Sequence, residues 1–397
     1  MEQTKGPLEG VRVLAVEQAT GGPFGTTMLA DLGAEVIMVE LPGEARPRQY
    51  PWGHKGEDAH FLALGRNKKS ITIDLTKETG REVFHELVKH ADVVFDNLRP
   101  SVPKRLGIDY ETLKVINPRI VSCSLSGYGS TGPYRDRPAF ERIVQSLSGM
   151  MSIIGEEGRS PPIAGWAVVD TSGGMASAFG ITAALYSREK TGVGQKIDVA
   201  MLDVQIAMLC SAAANYLIAG AAPEKMGSRW PSNPLHGVFQ AKDGYMTLAA
   251  HRQGFWVKLC QALGREELAG DPRFDVPAKR SKNGVELWSV IDPILVTRTV
   301  DEWVDIMVKA GVPCVPVNTV GKALCNPQVV HRNMVISIDD GEGGQIKLAG
   351  NPIKMSGTKK ETYRYPPALG QDTEETLSLL AGYSREKIAE LRAGKVI

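Results

Sequence analysis

The chain has 397 residues, enough for more than one domain and a sizeable core, and its 43% hydrophobic and 23% charged residues are an ordinary globular balance. Lys and Arg number 46 against 45 Asp and Glu, a formal charge of +1 that excludes the broad basic surface of a nucleic-acid binder and leaves room for a local site for one polyphosphate. No stretch approaches the roughly 20 apolar residues of a membrane helix, and Met1 to Gly10 is polar, unlike a signal peptide.

Strands and helices alternate through the first half. Val11 to Val16 reads as a strand ending in the loop Gln18-Ala19-Thr20-Gly21-Gly22-Pro23, followed by a helix from Phe24 to Leu32 that stops at Gly33. Ala34 to Glu40 is the next strand, completing a βαβ unit of a parallel sheet. The pattern repeats with Ser70 to Leu75 as strand, Glu82 to His90 as helix and Asp92 to Phe95 as strand. Ile120 to Ser126 is a further strand, running into Gly127-Tyr128-Gly129. That glycine loop lacks the spacing of a dinucleotide fingerprint or a Walker A loop, and alone it marks a tight turn as readily as a ligand.

Near Arg229 the pattern changes. Gly237 to Ala241 and Tyr245 to Ala250 flank Lys242-Asp243-Gly244, a hairpin in which Asp-Gly is expected to take positive φ. Helices follow at Gln253 to Leu263 and Val300 to Ala310, and a last one at Ser384 to Ala393. The expected organisation is a large α/β domain over 1–225, a smaller α+β domain over 226–318, and a return to the large domain over 319–397. The fold class is α/β, a Rossmann-like parallel sheet with a smaller α+β domain.

The five cysteines are scattered and odd in number, with no C-x-x-C pair, and the seven histidines lack ligand spacing. No metal site and no disulfide framework are expected; free thiols fit a reducing cytoplasm.

Parallel sheets take ligands beyond the carboxyl ends of their strands, which directs attention to the loops at Gln18 to Pro23, Asn97 to Arg105 and around Asp170. Arg66 and Lys68 precede one strand; Asn97, Leu98 and Arg99 follow another, with Arg105 in the next helical segment. Arg and Lys suit a phosphate-rich ligand, although any one of them could equally be a solvated charge. In Gly165 to Ala176 an apolar run ends at Asp170, and small residues including Gly173 and Gly174 open a long helix to about Lys190, before Gly192. A carboxylate there reads first as a helix N-cap, worth about 1 kcal/mol. The helix N-terminus would also stabilise its ionised form, and an ionised, positioned carboxylate can be a nucleophile with nearby N–H groups for an oxyanion. On residue chemistry alone the cap ranks above the nucleophile.

A set of ordered motifs resembles the class III CoA-transferases, the family of formyl-CoA transferase and carnitine CoA-transferase. They are Pro7 to Leu14, Gly22-Pro23, Leu32 to Ile37, Arg66 to Ile71, Asn97 to Pro100, Gly127 to Gly129 with Gly132-Pro133, Asp170 with Gly173-Gly174, Lys190 to Gln195, Asp198 to Met201 and Pro366 to Gly370. The resemblance covers nearly the whole chain. It implies that Asp170 is the nucleophile, forming first a mixed anhydride and then an aspartyl-CoA thioester before an acceptor acid takes over the CoA. It implies CoA contacts at Gln18, Arg66, Lys68, Asn97, Leu98, Arg99 and Arg105, no permanently bound cofactor, and an interlocked homodimer. Acyl-CoA and a small carboxylic acid are the implied partners, with succinyl-CoA the first donor to consider.

The sequence departs from formyl-CoA transferase at Thr20, where that relative has glutamine, at Leu41, where it has a CoA-contacting arginine, and at His60, where it has tyrosine. Glu141 matches a glutamate close to the nucleophile, so Thr20, His60 and Glu141 are candidates for the substrate pocket. Met150, Met151, Trp166 and Met175 could line it too, with core packing the stronger expectation. The alternatives are an α-methylacyl-CoA racemase, whose second base would align with Pro138-Ala139-Phe140 where no histidine stands, and a non-catalytic CoA-binding subunit, against which an intact Asp170 speaks.

Overall fold

The computed structural model describes residues 6–43, 52–230, 232–358 and 362–397, so part of the polar N-terminal stretch lies outside the described residues. Packing divides the chain into two compact units: Met1–Met150 with Ile163–Leu217 and His331–Ile397, and Met151–Pro162 with Ile218–Val330. The division falls at 218 and 330, against the expected 226 and 318.

The first unit opens with β1 (Arg12–Val16), α1 (Gly21–Asp31), β2 (Glu35–Glu40), the short β3 (Gly53–His54) and β4 (Glu57–Asp58), and α2 (Ala59–Gly65). It continues with β5 (Lys68–Thr72), α3 (Glu78–Val88), β6 (Val93–Asp96), α4 (Val102–Leu106), α5 (Tyr110–Ile116) and β7 (Val121–Ser126). Then come α6 (Glu141–Leu147), α7 (Val168–Thr191), β8 (Lys196–Ala200), α8 (Met201–Met208) and α9 (Cys210–Ala219). Six strands form one sheet in the order β5-β2-β1-β6-β7-β8, every neighbouring pair parallel. This is the doubly wound order, which reverses between β1 and β6.

The central strands β1, β2 and β6 are mainly apolar because both faces are covered. Leu14, Ile37 and Val94 point into a core with Phe84, Leu87 and Leu113. Their neighbours Val13, Val36, Val93 and Phe95 point the other way, against Leu29 of α1 and Val169, Ile181 and Leu185 of α7. Burying one such side chain contributes about 1.5–3 kcal/mol, so this alternation fixes the register.

α1 and α7 pack through glycines. A Cβ on Gly25 would stand 2.5 Å from the Gly174 carbonyl oxygen, and one on Gly174 would stand 2.4 Å from the Gly21 oxygen. No larger residue permits that approach, which seats the start of α7 beside the start of α1. The far end of α7 closes at Gly192, at φ 75°, as the sequence predicts.

The second unit begins its regular structure with β9 (Arg229–Trp230), β10 (Asn233–Gln240), β11 (Tyr245–Ala249) and α10 (Gln253–Ala262). It continues with α11 (Pro277–Lys282), α12 (Gly284–Leu295), α13 (Val300–Ala310), β12 (Cys314–Pro316), α14 (Val320–Leu324) and α15 (Pro327–His331). Its antiparallel sheet, β12-β11-β10-β9, covers a core built on Phe239, Trp256 and Trp303. The expected hairpin forms between β10 and β11, but without positive φ at Asp243 or Gly244. Asp243 instead accepts the Val300 N–H at 2.8 Å, tying the turn to the start of α13.

The chain re-enters the first unit with β13 (Val335–Asp339), β14 (Gln345–Ala349), α16 (Thr373–Ala381) and α17 (Arg385–Ala393), and Leu377, Ile388 and Leu391 complete the first core. Among the described residues no single helix is long and apolar enough to cross a membrane.

Candidate active site at the carboxyl ends of β1 and β6

The reversal of strand order leaves a crevice beyond β1 and β6, and the loops there are tied to each other. The Gln18 N–H donates to Asn97 Oδ1 at 2.9 Å, and Asn97 Nδ2 donates back to the Gln18 carbonyl at 2.7 Å. Gly22 makes room for this exchange, since a Cβ there would meet Asn97 Cγ at 2.9 Å. Leu98 donates its N–H to Asp96 Oδ1 at 3.1 Å, which turns the chain after β6.

Asp170 is the third residue of α7, in its first turn, not the N-cap; Ala167 stands there without a side-chain cap. The cap comes from α6. Glu141 Oε1 accepts the Val169 N–H at 3.1 Å and Oε2 the Asp170 N–H at 2.7 Å. Gln145 steadies that carboxylate, donating to Oε1 at 2.7 Å and accepting the Ala164 N–H at 3.0 Å. The anion-binding end of α7 is thus already occupied by one carboxylate.

The consequence for Asp170 is the opposite of the expected stabilisation. Burial, then repulsion from Glu141, pushes its carboxyl up to about 6, and a hydrogen bond from the Thr20 hydroxyl opposes them. Gly173 and Gly174 are buried, Gly173 against Leu125 and Gly174 against Gly21, so they seat the helix.

Thr20 lies at the head of α1 and His60 on α2, with His60 Nε2 3.5 Å from Thr20 Oγ1 and 3.2 Å from the Ala19 carbonyl oxygen. Asp170, Thr20, His60 and Glu141 are therefore brought together. A cleft open to solvent runs along Gln18, Ala19, Met38, Val39, His60 and Phe61. It reaches Ala19 and His60, the neighbours of Thr20, and Asp170 does not line it. Trp166 is 67% exposed and Met175 50% exposed, while Met150 and Met151 are half-buried, so none of these four packs in the core.

The cations expected to bind phosphate fall into two groups. Arg66 donates to both oxygens of Asp31, at 3.2 and 2.7 Å, and to the Ala63 carbonyl at 2.7 Å. Lys68 is wholly buried; its ammonium donates to Glu17 Oε1 at 2.7 Å, Thr26 Oγ1 at 2.7 Å and the Pro23 carbonyl at 3.0 Å. Burial pushes Lys68 below its ordinary value, with Glu17 pulling it back. All three ammonium protons are engaged, so both cations are committed to holding α1 against the α2–β5 segment in this arrangement. Arg99 and Arg105 are exposed, and neither guanidinium has an ion pair or hydrogen bond among the described residues. Leu41, 41% exposed, supplies no charge at the end of β2.

Sequence reasoning missed Glu17, Asp31, Gln145 and Asp96. Asp96 is buried at the end of β6, where burial pushes its carboxyl up to about 6 against a hydrogen bond from Ser124 at 2.7 Å. An acidic residue ending an apolar strand, as at Glu17 and Asp96, was the available signal. Among the described residues, no group of three or more His, Cys, Asp and Glu is placed to hold a metal ion.

The profile of CoA-transferase family III matches residues 8–373. An acetyl-CoA:oxalate CoA-transferase from Acetobacter aceti is 38% identical over 355 residues, covering 89% of this chain and 90% of its own. A succinate–glutarate CoA-transferase from Agrobacterium fabrum is 35% identical over 394 residues, covering 97% and 98%. The crystal structure of a CAIB/BAIF family protein from Brucella suis superposes with a TM-score of 0.86 at 34% identity, over 95% of this chain and all of that one. The chain belongs to CoA-transferase family III.

Proposed function

We propose that this family III CoA-transferase moves CoA from a succinyl-CoA donor to a second carboxylic acid, with Asp170 carrying first the acyl group and then the CoA. The observation that carries this reading is one carboxylate, half-buried at the head of α7, where Glu141 has already taken the helix N–H groups and burial beside that second carboxylate pushes it up to about 6. A carboxylate with that value is still ionised about ten to one at neutral pH, yet less stabilised than one in water and correspondingly more nucleophilic.

An Asp170 oxygen attacks the donor's acyl carbon, the C–S bond breaks, and the electron pair leaves on the CoA thiolate. The thiolate then attacks Asp170 Cγ, expelling the donor acid and leaving an aspartyl thioester. The acceptor carboxylate attacks the same carbon, the thiolate leaves again, and it finally attacks the acceptor's acyl carbon to restore Asp170. Each thioester or anhydride exchange conserves the activation of the acyl group, so no external energy source enters.

Arg99 and Arg105 are the CoA phosphate ligands in this reading, because theirs are the site's expected cations with unengaged donors. The donor follows the relatives, one of which is a succinate–glutarate enzyme. We also read the protein as a homodimer. Met175, Phe179 and Tyr186 form a stripe on α7, 50%, 78% and 65% exposed, and Leu217 is 80% exposed near the end of α9. Exposed apolar side chains of this size on one unit suit an intimate contact with a second copy.

The test is an exchange assay with succinyl-CoA against a panel of mono- and dicarboxylic acids, read by mass, followed by hydroxylamine trapping. New acyl-CoA and a hydroxamate on the peptide holding Asp170 are expected. A hydroxamate elsewhere, or exchange that persists in a protein blocked at Asp170, would overturn the mechanism.

A further inference from the structure

Helix α2 has two working faces. Leu62 is buried with Ile336, Ile338 and Ile346 of the β13–β14 hairpin, while His60, Phe61 and Leu64 line the cleft. The β3–β4 hairpin sets where the helix starts. Asp58 of β4 is the N-cap, accepting the Phe61 N–H at 2.7 Å, and the Ala59 N–H donates to the Trp52 carbonyl at 2.8 Å. With two residues in each strand, such a hairpin is not held in place by its own ladder. Its tip is fastened to the tip of β13–β14. His54 Nε2 donates to Asp340 Oδ2 at 2.8 Å, and the Lys55 ammonium lies 3.2 Å from the same oxygen and 2.8 Å from Glu342. The Asp340 side chain is 2% exposed, and its other oxygen accepts the Glu342 and Gly344 N–H groups, both at 2.9 Å. The His54 bond first, and then the backbone N–H groups, hold this carboxyl well below the usual carboxylate range. An ionised carboxylate only accepts, so the proton sits on Nε2. Both tips are shaped for the contact. Lys55, at φ 50°, takes a left-handed turn position that Asn or Gly ordinarily fills, and a Cβ on Gly344 would stand 2.3 Å from Asp340 Oδ2.

We infer that Asp340 is a positioning residue for the CoA donor: it clasps His54 and Lys55, and through the β3–β4 hairpin it fixes the α2 wall of the cleft. The inference rests on the CoA-transferase reading, in which the cleft receives part of the donor. Met38, Val39, Phe61 and Leu64 give that cleft apolar sides and Gln18 and His60 polar ones, the make-up of a small-molecule site. His60 and Phe61 are the second and third residues of α2, so a shift at the start of the helix displaces them first. Leu62, packed on β13–β14, keeps the helix itself in place. The clasp therefore tunes the shape of the wall and does not decide whether the wall exists. Asp170 and Glu141 stand on α7 and α6, outside this chain of contacts. The effect falls on donor binding and not on the transfer step.

The experiment compares Asp340→Asn, His54→Phe, His54→Gln and the double variant Asp340→Asn/His54→Phe with wild type. It records kcat and KM with succinyl-CoA, the Kd of free CoA by calorimetry, and the thermal midpoint. A hydrogen bond to a charged group contributes about a factor of ten. Asp340→Asn and His54→Phe should therefore each raise KM and Kd by about tenfold, with kcat held within about twofold. His54→Phe keeps a ring to pack edge-on against Tyr365, so it removes the bond and spares the packing. His54→Gln keeps an N–H for the carboxylate and should stay near wild type. The double variant should be no worse than the worse single one, because both remove the same bond. If Asp340→Asn does not fold, His54→Phe against His54→Gln carries the same contrast. Wild type that exchanges no CoA would remove the functional reading and this inference together. An active wild type, beside variants of unchanged KM and Kd, would overturn the clasp's role alone, whatever their melting points. Losses that add in the double variant, or that fall on kcat with KM unchanged, would overturn it too.

Discussion

Two populations of charge lie around the parallel sheet, and they differ in what the fold has left for them to do. Along β5 and its approach every cation is closed: Arg66 on Asp31 at 2.7 Å, Lys68 on Glu17 at 2.7 Å, Lys69 on Glu35 at 2.9 Å. Beyond β6 and at the head of α7 the charges stay open. Among the described residues Arg99 and Arg105 face solvent without side-chain partners, and Asp170 stands beside Glu141 with only the neutral Thr20 hydroxyl to offset it. The residue types are the same in both places. What differs is whether the chain supplies a counter-charge at bonding distance, and that decides between a charge that builds the wall and one that can act at it.

The largest expected effect tests the open carboxylate. Asp170→Asn keeps the shape of the side chain but cannot form an anhydride, so exchange should fall by about 10⁴-fold or more with the fold intact. Turnover and circular dichroism on protein shown by mass to be free of deamidation decide it. Near-wild-type turnover would erase the distinction between acting and building charges.

The closed population breaks in the opposite sense. Lys68→Met leaves Glu17 buried without its partner, which should cost about 3–5 kcal/mol of stability. Unfolding in urea measures the loss, and activity per folded molecule should change far less. Adding Glu17→Gln removes the orphaned charge and should recover much of the deficit. A Lys68→Met protein of full stability but raised KM for the donor would move Lys68 into the open group.

How much of this was legible follows the same division. The apolar runs at β1, β2, β6 and β7 show in the sequence because both faces of a parallel sheet are buried, and α13 is marked from Val300 to Ala310 by a capping box of Thr299 and Glu302. Local signals misled where a distant residue supplied what the local pattern seemed to need. Asp170 looked like a cap, but Glu141, 29 residues away, caps the helix. The helix expected from Phe24 starts at Gly21 because its glycines lie against α7. The strand expected from Ser70 starts at Lys68, since a lysine can enter the sheet once Glu17 is there to receive it. Arg66 and Lys68 looked like phosphate ligands because Asp31 and Glu17 are adjacent only in the fold.

A smaller effect sharpens the open carboxylate as a stability statement. Asp170 titrates at about 6 in the folded chain against an ordinary 3.8, so the fold prefers its protonated form. The stability this contributes is present below about pH 4 and is lost as pH rises through about 6. The full shift corresponds to about 3 kcal/mol; screening of a half-exposed group reduces it to about 1–2 kcal/mol. Asp170→Asn never charges. It should therefore match wild type near pH 4 and be the more stable protein at pH 8, by that margin, in thermal melts across pH. A difference that is constant across pH would mean that Asp170 is not penalised for its charge in the folded protein.

The smallest effect concerns the exposed cations, where solvent limits what any contact contributes. Arg99 follows β6 and Arg105 lies in the last turn of α4, both exposed and, among the described residues, without a side-chain partner. A guanidinium with all its donors free can meet a phosphate bidentately, but at an exposed site a single such contact is worth about 1 kcal/mol or less. Arg99→Ala and Arg105→Ala should each raise KM for the CoA donor several-fold, with little change in kcat, since the phosphates bind alike in ground and transition states. Neither should shift the unfolding midpoint, because no structural bond is lost. Wild-type KM should rise with ionic strength as the Debye length shortens, and the double variant should respond less steeply, having fewer charges to screen. If both variants keep the wild-type KM and salt slope, these arginines are solvated surface charges, and the phosphates of CoA are held elsewhere in the protein.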